Sequence, residues 1–344
     1  MLDSIYAAAA AARRRAYAKP GRRRGLSRPV VSVGNLRAGG TGKTPAVACL
    51  ARLLAEMGER PAVLSRGYAR RVAPPGVVVV SDGERLRADL DRSGDEPLML
   101  ARAVPSARVL VSSDRYLAGR LAETHLGATV HLLDDGFQHL PLARGTDLLI
   151  IDAEDVNRPR TLPGGRLREG LEAAANAHAL LVPGADGDDA AWIAARMSVP
   201  RAFGLVRESG PAWEIDGRPA GSAGETAGAA GPVHAFAGIA RPDRFFAELR
   251  EAGWDLTGTT AFRDHHRYRA RDVAALASAA RAAGAGALVT TEKDAVRLLP
   301  FRPLPIGVLV APLVVRIEPA RAFREWLAGR LADERAGAAE GGRS

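Results

Sequence analysis

Residues 37–44 read Arg37-Ala38-Gly39-Gly40-Thr41-Gly42-Lys43-Thr44. An apolar, β-branched run at 30–33 precedes them, and a segment with the apolar spacing of a helix follows at 45–57. This order of strand, glycine-rich loop and helix suits phosphate binding, because glycine lets backbone N–H groups converge on oxygen atoms and the helix N-terminus adds positive charge. The stretch therefore predicts a nucleotide-binding α/β fold of the P-loop type.

Two side chains of this loop carry the chemistry. A lysine in the place of Lys43 reaches the β- and γ-phosphates of ATP, and the hydroxyl of Thr44 ligates Mg²⁺. We therefore expect residues 39–44 to bind ATP and Mg²⁺. Arg37 departs from the common pattern G-x-x-x-x-G-K-[ST], which has glycine there. Partition-type ATPases share the GGxGKT loop but carry lysine where this chain has Ala38.

Length and composition indicate a globular chain with two domains of ordinary size. It has 344 residues, of which 47% are hydrophobic and 25% charged. The single cysteine, Cys49, excludes a disulfide framework and a thiolate metal site, and it indicates a reducing compartment. The net charge is +9. Because the arginines are spread out, aromatic residues are few and no nucleic-acid-binding motif appears, we expect no nucleic-acid partner.

The first 28 residues carry eight basic side chains and one acid, Asp3. The alanine-rich run at 5–12 is far shorter than the ~20 apolar residues that span a bilayer, and no signal-peptide pattern surrounds it. Two interpretations remain open. The segment is either a basic helix lying on the inner membrane surface or a solvated leader.

Beyond residue 30, short apolar runs alternate with helix-like stretches, which is typical of a mostly parallel sheet covered by helices. The sequence predicts a P-loop NTPase-like α/β/α core and a second, smaller α/β domain joined to it by a β-ribbon of strands near 202–206 and 212–215. The predicted organisation is a basic membrane-surface segment at 1–28, a P-loop nucleotide-binding domain at 29–200, a β-ribbon linker and loop at 201–231, a second α/β domain at 232–333 and a disordered tail at 334–344.

Asp134 and Asp135 directly follow an apolar strand at 130–133. Active sites of parallel sheets lie at the carboxyl ends of the strands, where a P-loop enzyme places its second Mg²⁺-organising acid. An acid pair after a strand is often only a turn. In combination with the glycine-rich loop, we interpret Asp134, Asp135 and Thr44 as metal ligands.

Two further residues admit a structural and a catalytic interpretation. Asp95 opens a helix, where the helix dipole favours an acid, but it would also suit a general base that accepts the proton of an attacking hydroxyl. His265 lies in Asp264-His265-His266, which is either a polar loop or the source of a histidine that orients a carboxylate across a domain cleft.

A series of short motifs between about 28 and 299 resembles the tetraacyldisaccharide 4′-kinases of lipid A biosynthesis. The motifs are Val33-Gly34-Asn35-Leu36 with Gly39-Gly40-Thr41-Gly42-Lys43-Thr44-Pro45, Leu64-Ser65-Arg66-Gly67-Tyr68, Gly94-Asp95-Glu96-Pro97, Asp134-Asp135-Gly136-Phe137-Gln138-His139, Leu167-Arg168-Glu169, Phe236-Ala237-Gly238-Ile239, Asp264-His265-His266 and Thr291-Glu292-Lys293-Asp294. None is decisive alone, but their joint occurrence in this order is specific.

The resemblance implies an enzyme that transfers the γ-phosphate of ATP to the 4′-hydroxyl of a tetraacyl glucosamine disaccharide 1-phosphate, a lipid A precursor. It implies two α/β domains that close over ATP, at the cytoplasmic face of the inner membrane of a Gram-negative bacterium. The partners are then the lipid precursor and the membrane surface, which the protein contacts peripherally, and we expect a monomer. The resemblance implies that Lys43 and Thr44 bind the phosphates and the metal, and that Asp135 with Asp134 helps to hold Mg²⁺. It also implies that Asp95, paired with His265, is the catalytic base.

Residues 157–169 depart from the family pattern G-N-G-x-x-L-P-A-G-P-L-R-E. Asn157 is one place out of register, and Arg166 replaces a proline. By the resemblance this segment contributes to binding the lipid head group, so the extra arginines suggest an anionic acceptor.

A partition-type ATPase switch, which uses ATP binding to control dimerisation or a partner, is the rival hypothesis. The GGxGKT loop and the basic leader fit this class. Ala38 and the second α/β unit that carries residues 264–266 do not fit it.

Overall fold

The computed structural model describes residues 2–39, 42–68, 70–215 and 231–341. Its strands are β1 (Val30–Asn35), β2 (Pro61–Ser65), β3 (Val78–Asp82), β4 (Arg108–Val111), β5 (Val130–Asp134), β6 (Thr146–Ile150), β7 (Ala179–Pro183), β8 (Ala202–Ser209), β9 (Trp213–Glu214), β10 (Val233–Ala237), β11 (Leu256–Ala261), β12 (Ala287–Thr290), β13 (Val308–Val310) and β14 (Leu313–Glu318). The helices are α1 (Leu2–Ala18), α2 (Lys43–Glu56), α3 (Leu90–Ser93), α4 (Asp95–Ala103), α5 (Arg115–His125), α6 (Ala153–Asn157), α7 (Gly187–Arg196), α8 (Pro242–Glu251), α9 (Ala270–Ala282), α10 (Glu292–Leu298) and α11 (Ala320–Gly341).

Within these ranges the strands form two sheets. The larger has nine strands in the order β14-β8-β7-β6-β1-β5-β2-β4-β3, and the smaller has five in the order β11-β10-β12-β13-β9. Pairing in the larger sheet is parallel except at its two edges, β3 and β14. Strand β1 lies near the centre with all six residues buried, which is why it reads as an almost continuous apolar run. The predicted α/β fold is confirmed.

Helix α2 packs beside the central strands through residues spaced four apart, Ala46, Leu50 and Leu54, which are fully buried. This packing holds the N-terminus of α2 at the carboxyl ends of β1 and β5. Those strands pair in parallel, with Val33 beside Asp134. The predicted order of strand, glycine-rich loop and helix is therefore formed.

The connection between the two sheets is two-stranded, but the predicted partner was wrong. Strand β8 pairs with β14 in antiparallel register from Gly204 to Ser209, not with the segment at 212–215. That segment forms β9, which pairs with β13 in the smaller sheet. The chain therefore leaves the larger sheet along β8 and returns along β14. Residues 216–230, which include most of the predicted loop, lie outside the described residues.

The prediction of a disordered tail from residue 334 was wrong for 334–341, which continue α11. Glu334, the first residue of the predicted tail, is bound to the larger sheet. It accepts hydrogen bonds from Val30 N at 3.0 Å and from Thr146 Oγ1 at 2.9 Å. Phe323, Leu327 and Leu331 of the same helix are buried in the core of that sheet. The last helix thus packs with the first sheet, although the sequence predicted that residues up to 333 belong to the second unit.

The N-terminal segment is helical from Leu2 to Ala18. None of the helices among the described residues is both long and apolar enough to cross a membrane.

Gly34 is expected to tolerate no side chain, because β1 and the loop after β5 approach closely there. A Cβ at Gly34 would lie 2.5 Å from Phe137 Cβ and 2.7 Å from its backbone nitrogen. We expect Gly34→Ala to lower the free energy of unfolding by about 1–3 kcal/mol, as overpacking does. Urea denaturation measures the change. Gly329→Ala in α11 is the control, since no atom beyond its chain neighbours and the adjoining backbone of its own helix lies within 4 Å of its Cβ position. An equal loss in both variants would contradict the steric explanation.

Candidate active site

The phosphate-binding loop ends in a helix whose first residue is Lys43. Gly42 caps α2 with φ of +78°, and Gly39 has φ of +104°, so both adopt backbone conformations that favour glycine. Lys43 and Thr44 lie in the first turn of α2. Gly40 and Thr41, which the sequence also assigns to nucleotide binding, lie outside the described residues.

Lys43 joins the ends of two central strands. Its Nζ lies 3.1 Å from Asn35 Oδ1, at the end of β1, and 2.9 Å from Asp135 Oδ1, directly after β5. The ammonium group is therefore placed at the carboxyl ends of the strands, where the sequence predicted the nucleotide phosphates.

The two predicted acids at the end of β5, Asp134 within the strand and Asp135 directly after it, have opposite electrostatic environments. Burial and the nearby charges of Glu96 and Asp135 raise the pKa of Asp134 to about 7. Burial also acts to raise the pKa of Asp135, but the charges of Lys43 and Arg168 outweigh it, so the pKa lies below its ordinary value. Asp135 has φ of +54°, an unfavourable conformation for a non-glycine residue, as often found at functional sites.

The acid cluster fits Mg²⁺ bound together with a nucleotide. The negative charges of Asp135 and Glu96 lie close enough to Asp134 to raise its pKa, and a divalent cation would relieve this repulsion. In the described part of the chain, no group of three or more His, Cys, Asp or Glu side chains is arranged to hold a metal. A nucleotide-bound Mg²⁺ needs no such group, because phosphate oxygens and waters supply most of its ligands.

A second cluster centres on Asp95, the first residue of α4. Its Oδ2 lies 3.0 Å from Nδ1 of His265, which belongs to the loop between β11 and α9 of the smaller sheet. His265 has φ of +55°, a second unfavourable backbone conformation among the predicted site residues. The two residues, 170 positions apart in the sequence, thus meet between the two sheets.

Arg297 of α10 is a site residue that the sequence reasoning missed. Its Nε donates to Asp95 Oδ2 at 3.0 Å, Nη2 donates to the same oxygen, and Nη1 donates to Asp294 Oδ1 at 2.9 Å. Burial acts to raise the pKa of Asp95, but His265, Arg297 and Lys293 together lower it below its ordinary value. The spacing of Asp294 and Arg297 on one helix signals their own ion pair, but no local pattern signals the contact with Asp95.

Lys293 connects the two clusters. Its Nζ lies 3.2 Å from His265 Nε2 and 3.2 Å from Glu96 Oε1. Because an ammonium group only donates, Nε2 of His265 accepts in this contact, and Nδ1 is then the nitrogen that donates to Asp95. Glu96 in turn perturbs Asp134. The phosphate-binding and Asp95 clusters are therefore neighbours, and we call the region between them the cleft.

Arg37 has its own structural role in the loop where a glycine is more common. Its buried guanidinium lies 3.6–3.7 Å from Asp152, Glu154 and Asp155. The following residue, Ala38, donates its N–H to Arg166 O at 2.8 Å. The divergent segment at 157–169 therefore lies directly against the phosphate-binding loop.

Removing the charge of Arg297 is expected to move the pH dependence of activity. Arg297 lowers the pKa of Asp95, so in Arg297→Gln that pKa rises, and the acid limb of kcat/KM, read relative to the unmodified chain so that the titration of Asp134 cancels, moves to higher pH. Arg297→Lys keeps a positive charge and should leave the limb close to its original position. The limb position is independent of the fraction of folded protein, so it separates electrostatics from stability. An unmoved limb in Arg297→Gln would contradict this role.

Known proteins are similar to this chain over most of its length. The family described as Tetraacyldisaccharide-1-P 4'-kinase matches residues 1–332. The tetraacyldisaccharide 4'-kinase of Geobacter metallireducens is 43% identical over 280 residues, which cover 80% of each chain. That of Methylobacterium radiotolerans is 41% identical over 335 residues, 96% of this chain and 93% of the other. The crystal structure of LpxK from Aquifex aeolicus in complex with ATP superposes with a TM-score of 0.77 at 27% identity, over 96% and 97% of the two chains. The chain therefore belongs to the tetraacyldisaccharide-1-P 4'-kinase family.

Proposed function

We propose that this chain transfers the γ-phosphate of ATP to the 4′-hydroxyl of a tetraacyldisaccharide 1-phosphate in lipid A biosynthesis. The observation that carries the proposal is the shared cleft. Lys43 and the acid pair line this cleft from the larger sheet. From the smaller sheet, His265 reaches across it to contact Asp95. Family membership supplies the identity of the acceptor.

On the donor side, the glycine-rich loop and Lys43 bind the phosphates of ATP. Mg²⁺ would be held by Thr44, Asp134 and Asp135. When bound, it would neutralise part of the charge on the β- and γ-phosphates. Lys43 is preorganised for this task by Asn35 and Asp135, which fix its ammonium group at the strand ends. Since phosphoryl transfer depends mostly on positioning and electrostatic stabilisation, these contacts matter through geometry.

On the acceptor side, Asp95 and His265 act as one unit that accepts the proton of the sugar hydroxyl. Asp95 stays ionised because Arg297 and His265 lower its pKa, and a weakly basic carboxylate suffices when the hydroxyl loses its proton late in the transfer. His265 donates its Nδ1 proton to Asp95 and holds the carboxylate in place. We infer that the larger sheet and its helices bind nucleotide and that the smaller sheet completes the catalytic pair.

We propose further that the protein acts as a monomer bound peripherally to the cytoplasmic face of the inner membrane. One chain supplies both catalytic clusters, so no second copy is needed to complete the cleft. Helix α1 exposes two apolar side chains, Ile5 and Tyr6, near its start, and basic side chains are exposed towards its end and beyond it, at Arg13, Arg15, Lys19, Arg22 and Arg28. This combination suits an anionic lipid surface.

The membrane contact is testable with vesicles. In the triple variant Arg15→Gln, Lys19→Gln, Arg22→Gln, we expect the partition coefficient onto anionic vesicles to fall about 100-fold, since each basic residue contributes about 1 kcal/mol near such a surface. Co-sedimentation measures it. The control variant Arg85→Gln, Arg201→Gln, Arg250→Gln loses the same charge from exposed positions outside α1. Equal binding by both variants would place the membrane contact elsewhere.

The reaction is tested by incubating the full chain with Mg²⁺, γ-³²P-labelled ATP and a detergent-solubilised tetraacyldisaccharide 1-phosphate. We expect the label in the lipid, and none when the 4′-hydroxyl of the acceptor is replaced by hydrogen. ATP hydrolysis that leaves the lipid unlabelled, together with nucleotide-dependent dimerisation, would support the ATPase switch instead.

A further inference from the structure

We propose that Arg14 of the N-terminal helix is a positioning residue for phosphoryl transfer. In this proposal, which rests on the function proposed above, the ion pair between Arg14 and Glu169 couples the docking of α1 to the residues that line the phosphate-binding edge of the cleft. In this proposal, helix α1 helps to position the active-site residues in addition to contacting the membrane surface.

The helix is held to the rest of the protein mainly by polar contacts. Among the described residues, no side chain of α1 belongs to a hydrophobic core cluster. A cavity of about 200 Å³ remains between its alanine-rich face and the 3-10 turn at Leu171–Asn176. The remaining contacts include Asp3, which accepts from Gly164 N, and Arg13, which donates to Gln138 O. Docking therefore depends on specific ion pairs and hydrogen bonds.

Among these polar contacts of α1, the ion pair between Arg14 and Glu169 is buried. Nε and Nη2 of Arg14 donate to the two carboxylate oxygens of Glu169, each at 2.8 Å, and the side chains are only 10% and 7% exposed. Nη2 also lies 3.3 Å from Phe137 O, and the guanidinium lies 4.4 Å from the centre of the Phe137 ring. A bidentate pair of this kind fixes direction as well as distance.

From Glu169, one hydrogen-bonded path leads to the phosphate-binding lysine. Glu169 Oε1 accepts from Gln138 Nε2 at 3.0 Å, and the same nitrogen donates to Asn35 O at 2.9 Å. Asn35 in turn accepts from Lys43 through its side chain. Arg14 is therefore connected to Lys43 through three intervening residues.

A second path leads to the acid pair. Arg168, adjoining Glu169 in the chain, lies 2.9 Å from Asp135 Oδ2 and 3.4 Å from Gln138 Oε1. Without Arg14, Glu169 would be a buried charge that has lost its bidentate partner. We expect it to turn towards the cation of Arg168, which draws Arg168 away from Asp135. Through these two paths, the loss of the Arg14–Glu169 contact would displace the side chains of Lys43 and Asp135.

The expected result for Arg14→Gln is a kcat about 10- to 100-fold lower at saturating substrates, since small displacements of reacting groups have effects of this size. The affinity for Mg²⁺-ATP, measured with a fluorescent analogue in the absence of acceptor, should fall several-fold. Arg14→Lys keeps the charge but loses the two-point contact, so we expect intermediate values. The double variant Arg14→Gln, Glu169→Gln leaves no unpaired charge and should be less impaired than the two single effects combined.

The matched control is Arg335→Ala. Arg335 also anchors a terminal helix, through a 2.7 Å ion pair with Glu59, and among the described residues it has no ion pair or hydrogen bond with the cleft. We expect this variant to keep the original kcat and nucleotide affinity, even if its melting temperature falls.

The outcomes separate the two proposals. If the unmodified chain does not phosphorylate the lipid but Arg14→Gln still weakens Mg²⁺-ATP binding, the function is wrong and the coupling stands. If transfer occurs and Arg14→Gln keeps both kcat and nucleotide affinity well below its melting temperature, the coupling is wrong. A loss of activity that merely follows the loss of folded protein, in Arg14→Gln and Arg14→Lys alike, also overturns it.

Discussion

Asp95→Asn is expected to lower kcat by about 10²- to 10⁴-fold, the range that general-base catalysis contributes. The asparagine keeps the shape of the side chain but does not take up the proton of the acceptor hydroxyl. It also removes the negative charge that holds His265 and Arg297. Nucleotide affinity should change little, because Lys43 would bind the phosphates and the acid pair would hold Mg²⁺ independently of Asp95. Steady-state kinetics and nucleotide titration measure the two quantities separately.

His265→Ala provides the companion measurement. If the two residues act as one unit, the double variant should be scarcely slower than the slower single variant, as found for catalytic groups that work together. Fully multiplicative losses would mean that His265 and Asp95 contribute separately. Near-normal rates in both single variants would contradict the assignment of the pair.

Lys43→Ala has the second large expected effect. Removing this ammonium group takes away the charge placed against the transferred phosphoryl group, and loss of one such preorganised contact lowers kcat by about 10²- to 10³-fold. It also leaves Asp135 with only one of the two cations that lie 2.9 Å from its carboxylate, so Mg²⁺-ATP affinity should fall as well. Single-turnover transfer and nucleotide titration measure the two effects.

Arg52→Ala is the control for Lys43→Ala. Arg52 is a cation of the same helix, but its side chain donates to Ala103 O, away from the cleft. We expect kcat and nucleotide affinity to be unchanged. If Arg52→Ala and Lys43→Ala lowered kcat equally, the loss of any positive charge on α2 would explain the result. This outcome would contradict a specific role for Lys43.

The strand, loop and helix around Lys43 were predictable because their signals are local. The apolar run of β1, the glycines and the spacing of apolar residues in α2 all lie within 27 residues of one another, at 30–56. The acids after β5 were predictable for a similar reason, since parallel strands bring their carboxyl ends to one edge. The family motifs pointed to Asp95 and His265, although neither residue has a decisive local signal.

Other features depend on contacts between distant segments. Nothing in residues 202–215 indicates that β8 pairs with β14, more than 100 positions later, because both candidate partners have similar strand propensity. The same holds for Arg297, which contacts Asp95 from 202 positions away, and for Arg14, which contacts Glu169 from 155 positions away. Arginine is abundant in this chain, so single arginines carry little signal before the fold brings them to a partner.

The most direct test of the proposed reaction is tandem mass spectrometry of the lipid after incubation of the full chain with Mg²⁺-ATP and a tetraacyldisaccharide 1-phosphate. We predict a product heavier by one phosphate, with fragment ions that place it on the sugar carrying the 4′-hydroxyl. The product should be strongly reduced with both Lys43→Ala and Asp95→Asn over the same incubation. An unmodified lipid in the presence of ATP turnover, or a phosphate on the other sugar, would contradict the proposal.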